Sequence, residues 1–186
     1  MRKRQPDAAE TGVVRNENEV NGMQGKRSWT PTKFVRVDHR WRASRDPNEL
    51  AVSSRLVGDL MARFYQKAIE QYAVGRLVDL GCGKAPLYGI YRDKVESVVR
   101  VDWEQSRHGA EFVDCKIDLN RKFPFADNFF DTVLATDVLE HIREPRIFWS
   151  EMARTCKVGG ISSSGCHFFI GSTRVHMITP VTRNMR

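Results

Sequence analysis

Two short segments of this sequence carry glycines and acids at a spacing that suits nucleotide binding. The apolar run 77–80 includes an acid, Asp79, and leads directly into Gly81-Cys82-Gly83. Glycines there let the backbone turn tightly and approach a ligand closely, and the following helix is expected to offer unpaired N–H groups. A second apolar run ends at Asp102, where a carboxylate can bind ribose hydroxyls. The pair predicts a site for a nucleoside-containing cofactor.

Strands that alternate with helices are needed to hold these two segments side by side. Apolar runs predict strands over 76–80, 97–102, 112–115 and 130–136, of which the third is weak. Helical periodicity predicts helices over about 46–74, 86–93 and 144–156, and the first has a broad apolar stripe from Leu56 to Tyr72 that suits core packing. This alternation predicts an α/β fold, a doubly wound Rossmann-like parallel sheet with helices on both faces.

Several ordered motifs then resemble the class I S-adenosylmethionine-dependent methyltransferases, close to the group related to ubiquinone-biosynthesis methyltransferases. The motifs lie between residues 77 and 160. They are V-D-L-G-C-G-K at 78, V-D at 101, I-D-L at 117, F-P-F-A-D-N-F-F-D at 123, D-V-L-E-H-I at 137 and E-M-A-R-T-C-K-V-G-G at 151.

The resemblance implies S-adenosylmethionine as cofactor and assigns a role to each motif. Asp79 and the backbone of Gly81, Cys82 and Gly83 would hold the methionine part. Asp102 would bind the ribose hydroxyls, and Trp103 would flank the adenine. Asp118 and the Leu119 backbone N–H would contact the adenine ring, and Thr136 with Asp137 would line the cofactor near its sulfonium.

Other interpretations of the same residues stay open. Asp102 would otherwise cap a loop, Asp118 would be a turn acid, and Glu140-His141 would cap the helix after the fourth strand. A general base for the acceptor is not identified: His141 and Asp137 are the candidates within the matched motifs. The sequence predicts no metal site.

Two further functional classes are weighed against methyl transfer. A nicotinamide-dependent oxidoreductase is disfavoured because Pro86 stands where the dinucleotide fingerprint has its third glycine. A non-catalytic binding module would use the basic amino-terminal segment to contact nucleic acid.

Charge divides the chain into three parts. Residues 1–45 hold 11 Lys and Arg against 5 Asp and Glu and are predicted to be a disordered basic segment. Residues 46–160 hold 16 basic against 18 acidic residues and form the predicted cofactor-binding domain. Because that domain is not basic, we expect a small-molecule acceptor rather than a nucleic acid.

The cellular location is predicted from the absence of membrane-spanning and signal segments in the sequence. No apolar run is long enough to cross a bilayer, and the start Met1-Arg2-Lys3-Arg4 is not followed by the apolar segment of a signal peptide. Four cysteines without metal-ligand spacing are expected to be reduced thiols. These features predict a cytoplasmic protein with no membrane association.

Residues 161–186 depart from the family pattern. Three serines, Ser162, Ser163 and Ser164, stand where a fifth apolar strand is expected. Shifting the codons by one base permits V-P-F-F at 166–169 and then H-E-x-P-x-D-x-x-R-Y-T, which resembles one branch of the family. We therefore predict that this tail is frameshifted, that the chain ends as a truncated methyltransferase without its fifth to seventh strands, and that its activity is weak.

Overall fold

A computed structural model describes residues 29–104, 112–157, 167–171 and 176–180. Its centre is a six-stranded sheet in the order β5-β4-β3-β6-β7-β8. The strands are β3 (Arg76–Leu80), β4 (Ser97–Asp102), β5 (Cys115–Lys116), β6 (Thr132–Thr136), β7 (His167–Gly171) and β8 (His176–Pro180). All neighbouring pairs are parallel except β7 with β8.

Helices cover the two faces of this sheet, as the alternation of elements predicted. Helices α1 (Arg55–Tyr72) and α2 (Tyr88–Tyr91) pack with Leu77 and Leu134 on one face. Helix α3 (Pro145–Thr155) packs through Phe148 and Met152 on the other face. Successive residues of a strand point to opposite faces, so the continuous apolar runs of β3 and β6 fill both cores. The doubly wound α/β prediction is confirmed.

The apolar stripe of α1 is only partly core. Its buried residues are Gly58, Ala62, Tyr65, Ala68 and Ile69. The side chains near its amino-terminal end are exposed instead, with Leu56 at 74% and Leu60 at 59%. The prediction of core packing along the whole stripe is therefore wrong for the first two turns, because there α1 turns Gly58, and not Leu56 or Leu60, toward Ala43 of the preceding hairpin.

Residues 34–43 correct the predicted limit of the disordered segment. They form a hairpin of β1 (Phe34–Val37) and β2 (Arg40–Ala43), which packs against α1. The side chain of Phe34 is buried, and the Ala43 N–H donates to Asp59 Oδ1 at 2.9 Å. Burial of these apolar groups offsets the cost of ordering the chain. The prediction of disorder for residues 1–28 falls outside the described residues.

The far edge of the sheet corrects a second expectation. The fourth predicted strand, β6, pairs along its whole length with β7, from Thr132 with His167 to Thr136 with Gly171. The prediction that this strand has an unprotected edge, because no strand follows it, is wrong. The run Phe168-Phe169-Ile170 is short and apolar, as in a buried strand, and provides this pairing in the frame as it stands.

The cysteines differ in whether they are free or disulfide-bonded. Cys82 and Cys115 are free thiols, whereas Cys156 is disulfide-bonded. The expectation of reduced thiols is therefore wrong for Cys156.

Candidate cofactor-binding site

A cavity of about 930 Å³ lies beyond the carboxyl ends of β3, β4 and β6. Open parallel sheets bind their ligands at this edge. Nine of the ten residues that the sequence assigned to the cofactor line the cavity: Gly81, Cys82, Gly83, Asp102, Trp103, Asp118, Leu119, Thr136 and Asp137. The tenth, Asp79, does not line it.

The glycine loop shapes the floor of the cavity rather than donating hydrogen bonds into it. The N–H groups of Gly81 and Cys82 both donate to the Val101 carbonyl oxygen, at 2.8 and 3.0 Å. Gly81 has φ of +73°, and a Cβ at this position would lie 2.4 Å from Val138 Cγ2. Glycine is therefore required both by the backbone conformation and by the close approach of Val138. The N–H groups of Gly81 and Cys82 are thus bonded within the protein, and the role of the loop backbone in holding the methionine part stays a prediction.

The helix after the loop also departs from expectation. Helix α2 is a single turn that begins at Tyr88, and none of its residues lines the cavity. The N–H of Ala85 donates to the Cys82 carbonyl oxygen at 2.8 Å. The expectation that this helix offers its unpaired N–H groups to the ligand is therefore not supported within the described residues.

Asp79 lies behind the loop, inside the protein. Asp79 is 2% exposed, and its Oδ2 accepts a hydrogen bond of 2.7 Å from the Tyr91 hydroxyl. Burial raises the pKa of Asp79 to about 7; the Tyr91 hydrogen bond opposes this shift and the charge of Asp102 adds to it. Asp79 therefore lies beneath the loop and does not line the cavity, and its contact with the methionine part stays a prediction.

Asp102 joins the two segments that the sequence picked out. Its Oδ2 accepts from the Gly83 N–H at 2.8 Å, and its Oδ1 accepts from the Trp103 N–H at 2.7 Å. It caps the loop, as one interpretation held. It also lines the cavity, and each carboxylate oxygen can accept a second hydrogen bond. Asp102 is thus held rigidly with free acceptor capacity toward a ligand.

Asp118 lines the cavity, and the resemblance places the adenine of the cofactor beside it. Its Oδ1 accepts from both the backbone N–H and the side-chain amide of Asn120, each at 2.9 Å. Partial burial disfavours its charged form, but these hydrogen bonds and the charges of Arg121 and Arg143 keep the pKa of Asp118 below its ordinary value. Asp118 is therefore both a turn acid and an anionic acceptor at the cavity.

Asn120 is a functional position that the sequence analysis missed. Its side-chain oxygen accepts from the N–H groups of Arg143 and Glu144, at 2.7 and 3.0 Å. It thereby ties the Asp118 turn to the loop that leads into α3. An Asx turn after Asp118 could have been predicted from the sequence, but no local signal marks the long-range bonds of Asn120.

The wall opposite the glycine loop comes from the amino-terminal segment, which the sequence analysis also missed. Residues 29–50, here called the strap, contribute Thr32, Lys33, Asn48 and Glu49 to the cavity lining. Two ion pairs join the strap to the domain at the cavity: Lys33 with Asp137 at 3.2 Å, and Glu49 with Lys84 at 3.1 Å. No periodic pattern marks these residues, so only the folded chain reveals them.

The candidate bases lie at the loop after β6. Asp137 has φ of +52°, an uncommon conformation for a residue other than glycine, and its carboxylate is occupied by Lys33. His141 belongs to a short 3₁₀ turn, Leu139–His141, and its exposed side chain lines the cavity. His141 is free to meet an acceptor there, so its role as a base stays a prediction.

The residues present suit an adenosyl sulfonium compound. The cavity offers carboxylates for ribose hydroxyls, an indole for a purine face, and cations beside carboxylates for a zwitterionic end. Thr32 also lines the cavity, while its hydroxyl oxygen is buried and has no hydrogen-bond partner among the described residues.

Comparison with known proteins addresses the family. Residues 78–163 match the family model described as a methyltransferase domain. The chain carries a class I methyltransferase domain. S-adenosylmethionine is the cofactor expected of such a domain. No curated protein matches the sequence.

Several solved structures are similar to this methyltransferase domain. The S-adenosylmethionine-dependent methyltransferase of Aquifex aeolicus is 19% identical, with 57% of this chain and 62% of that chain covered and a TM-score of 0.42. The S-adenosylmethionine-dependent methyltransferase of Mesorhizobium loti is 18% identical, with 56% of this chain and 50% of that chain covered and a TM-score of 0.43. The PH0226 protein of Pyrococcus horikoshii is 23% identical, with 69% of this chain and 58% of that chain covered and a TM-score of 0.49. The match thus spans about half to three fifths of each of these structures.

Within the described ranges, no helix combines the length and the apolar character that crossing a bilayer requires.

Proposed function

We propose that this protein transfers the methyl group of S-adenosylmethionine to a small-molecule acceptor. The sulfonium supplies an activated methyl group, so the protein has chiefly to align the two reactants and exclude water. The single observation that supports the proposal most is Asp102, whose carboxylate is fixed by Gly83 at the cavity and keeps acceptor capacity for ribose hydroxyls.

The proposed roles follow the placement of each residue. Asp102 orients the ribose, and Trp103 covers one face of the adenine. Asp118 accepts from the adenine amino group, next to the Leu119 backbone, while Thr136 lines the path to the reacting methyl group. Gly81 and Gly83 line the cavity and border the thioether chain.

A small acceptor is favoured by the size and charge of the cavity. Its volume of about 930 Å³ is near the upper end of the roughly 300–1,000 Å³ that small-molecule sites occupy. The lining contains four carboxylates, Glu49, Asp102, Asp118 and Asp137, against Lys33, Lys84 and Arg143. This balanced lining gives no attraction for a nucleic-acid backbone.

The test of this function is cofactor binding by the full chain. In Asp102→Asn, one side-chain oxygen still accepts from the loop but the amide nitrogen accepts nothing from ribose. We expect S-adenosylhomocysteine to bind roughly tenfold to a hundredfold more weakly, the usual loss for hydrogen bonds to a charged group, by calorimetry.

Asp93→Asn, which changes an exposed acid, is the matched control. NADH is the competing ligand, since it would bind instead if the domain served hydride transfer. Undiminished binding of S-adenosylhomocysteine by Asp102→Asn, or preference for NADH, would contradict the proposal.

The expectation of weak activity belongs with this proposal and rests on the sequence of residues 161–186. We propose that the out-of-frame character of this tail impairs the acceptor side of the site. Coding DNA around codon 161 without an open shifted frame would remove that idea.

A further inference from the structure

The outward side of α1 carries apolar side chains that the fold does not cover. The buried residues of this helix include Gly58, Ala62, Tyr65 and Ile69. A position two residues away along a helix lies about 200° around its axis. The set on the opposite side, here called the outer row, is therefore Leu56, Leu60, Arg63 and Lys67, and all four residues are exposed.

The first part of the outer row belongs to a larger apolar cluster. Leu56 is 74% exposed and Leu60 is 59% exposed, while the neighbouring Val52 and Val57 are 66% and 56% exposed. Single exposed apolar residues are ordinary, but several that stand together mark a surface that contacts a partner. The beginning of α1 is therefore a candidate docking surface.

Cations flank this cluster. Arg63 and Lys67 continue the outer row, and the adjacent hairpin and the residues after it add Arg42 and Arg45, all of them exposed. The acid that lies between the two leucines, Asp59, is paired with Arg45 at 2.8 Å. The hydrogen bond from Arg45 lowers the pKa of Asp59, and the charge of Arg42 acts in the same direction. Two arginines thus offset the charge of this acid.

The balance of charge shows that this part of the chain differs from the rest of the domain. Residues 29–72, which include the strap and α1, hold 8 Lys and Arg against 5 Asp and Glu, whereas residues 73–160 hold 13 against 14. A partner that complements both the cations and the exposed leucines must offer negative charge and an apolar layer.

Two other occupants fit these features less well. A second copy of this chain would place the same cations against one another, because a twofold interface joins identical patches, and like charges that face each other are unfavourable. A nucleic acid would pair its phosphates with the cations but would leave Leu56 and Leu60 without an apolar contact. An anionic lipid surface satisfies both, since its phosphates attract cations and the acyl boundary accepts leucine.

We propose that the outer row of α1 binds the surface of an anionic lipid bilayer. Leu56 and Leu60 enter the boundary between headgroups and acyl chains, and Arg63 and Lys67 contact lipid phosphates. This proposal replaces the expectation of no membrane association, which was drawn from the absence of spanning and signal segments. It is independent of the proposed methyl transfer.

The contact lies close to the cavity. Glu49 lines the cavity, and the next residue, Leu50, packs on α1, where its Cδ2 would lie 3.0 Å from a Cβ at Gly58. Binding through α1 therefore holds the strap wall of the cavity near the lipid surface.

The test is co-sedimentation of the full chain with vesicles of phosphatidylcholine alone and of equal parts phosphatidylcholine and phosphatidylglycerol. We expect binding to the mixed vesicles that weakens with added salt, and much weaker binding to the neutral ones. The double variant Leu56→Gln with Leu60→Gln should bind the mixed vesicles roughly tenfold more weakly, because it loses apolar insertion. The double variant Arg63→Gln with Lys67→Gln should show a loss of similar size, about tenfold, from the missing charges.

The matched control is Arg146→Gln with Ile147→Gln, which removes one exposed cation and one exposed apolar side chain from α3 on the other face of the sheet. Its vesicle binding should equal that of the wild type. Since none of the substituted residues in the two test variants lines the cavity, their thermal melts and their binding of S-adenosylhomocysteine should also be unchanged.

Binding that neither test variant weakens would overturn the proposal, as would equal binding to neutral vesicles or no binding by the wild type. Self-association that Leu56→Gln with Leu60→Gln abolishes, without vesicle binding, would assign the face to a second copy instead. Binding of RNA or DNA that depends on the cations but not on the leucines, again without vesicle binding, would assign it to a nucleic acid.

Discussion

The buried carboxyl of Asp79 shows how one residue's role depends on its surroundings. It follows the apolar residues of β3 and precedes the glycine loop, where a ligand contact was predicted. The side chain instead turns into the core and meets the Tyr91 hydroxyl. A titratable group buried in this way affects the stability of the fold.

The pKa of Asp79 predicts a specific pH dependence. Because burial raises its pKa from 3.8 to about 7, the folded chain holds this proton more tightly than the unfolded chain between those values. Its contribution to the free energy of unfolding is full below about pH 4 and is lost as the pH rises through 7, by roughly 4 kcal/mol. Asp79→Asn keeps an acceptor for Tyr91 but cannot titrate. Between about pH 4 and pH 7, the free energy of unfolding of the wild type should therefore fall by this amount relative to that of Asp79→Asn.

Urea unfolding at intervals from pH 4 to 8 measures this difference. Asp93→Asn, at an exposed acid, is the control for general charge effects. A wild-type curve parallel to that of Asp79→Asn across this range would show that Asp79 titrates normally.

At the scale of elements, the strap is the part of the chain that completes the site. It is anchored by Trp29, whose indole Nε1–H donates to the Ala85 carbonyl oxygen at 2.9 Å and whose ring contacts Tyr88 edge-on. Trp41, which is 8% exposed, packs in the same core. Both indoles meet at Gly89 of α2, where a Cβ would lie 2.4 Å from Trp41 and 2.6 Å from Trp29. The absence of a side chain at Gly89 lets the strap dock.

Gly89→Ala should therefore loosen the strap. Alanine normally favours a helix over glycine by about 1 kcal/mol, but here overpacking against two indoles costs about 1–3 kcal/mol. We expect lower thermal stability, a red shift of tryptophan fluorescence and weaker S-adenosylhomocysteine binding, because Thr32 and Lys33 are carried on the strap.

Lys94→Ala, at an exposed position after α2, is the control. Unchanged fluorescence and affinity in Gly89→Ala would mean that the strap docks independently of this contact.

At the scale of the whole molecule, the order of the sheet determines which strands are protected. β3 lies between β4 and β6, so the glycine loop is held from both sides. β6 in turn lies between β3 and β7. The buried residues Val133 and Leu134 of β6 would belong to an apolar edge strand without β7, and such edges promote association. Pairing with β7 is thus expected to keep the molecule from self-association.

Phe169→Pro tests this role through the backbone. Phe169 is paired with Leu134 in register, and proline removes a ladder N–H and is poorly tolerated inside a sheet. We expect loss of about 1–3 kcal/mol of stability, since a ladder hydrogen bond is lost and its acceptor is left unpaired, and the appearance of larger species in size-exclusion chromatography with light scattering.

Phe169→Val keeps the backbone donor and should elute like the wild type, without larger species. If Phe169→Pro elutes unchanged, β7 does not protect the edge of β6.

The sequence by itself determined the strands β3, β4 and β6, the turn at Gly81 and the acids Asp102 and Asp118 near the cavity. These features depend on local patterns: apolar runs, glycines that permit a tight turn, and acids directly after strands. Periodicity was a weaker guide where an element extends past the sheet, as in the first turns of α1.

Only the tertiary structure decided which groups remain available to a ligand. Asp79 and the loop N–H groups are used internally, whereas Thr32 and Lys33 line the cavity because Trp29 docks on a residue 56 positions away. Such contacts join residues that are distant in the chain, and no local pattern encodes them. Their formation depends on burial and pairing across the whole fold, which is why the amino-terminal wall of the site could not be predicted from the sequence.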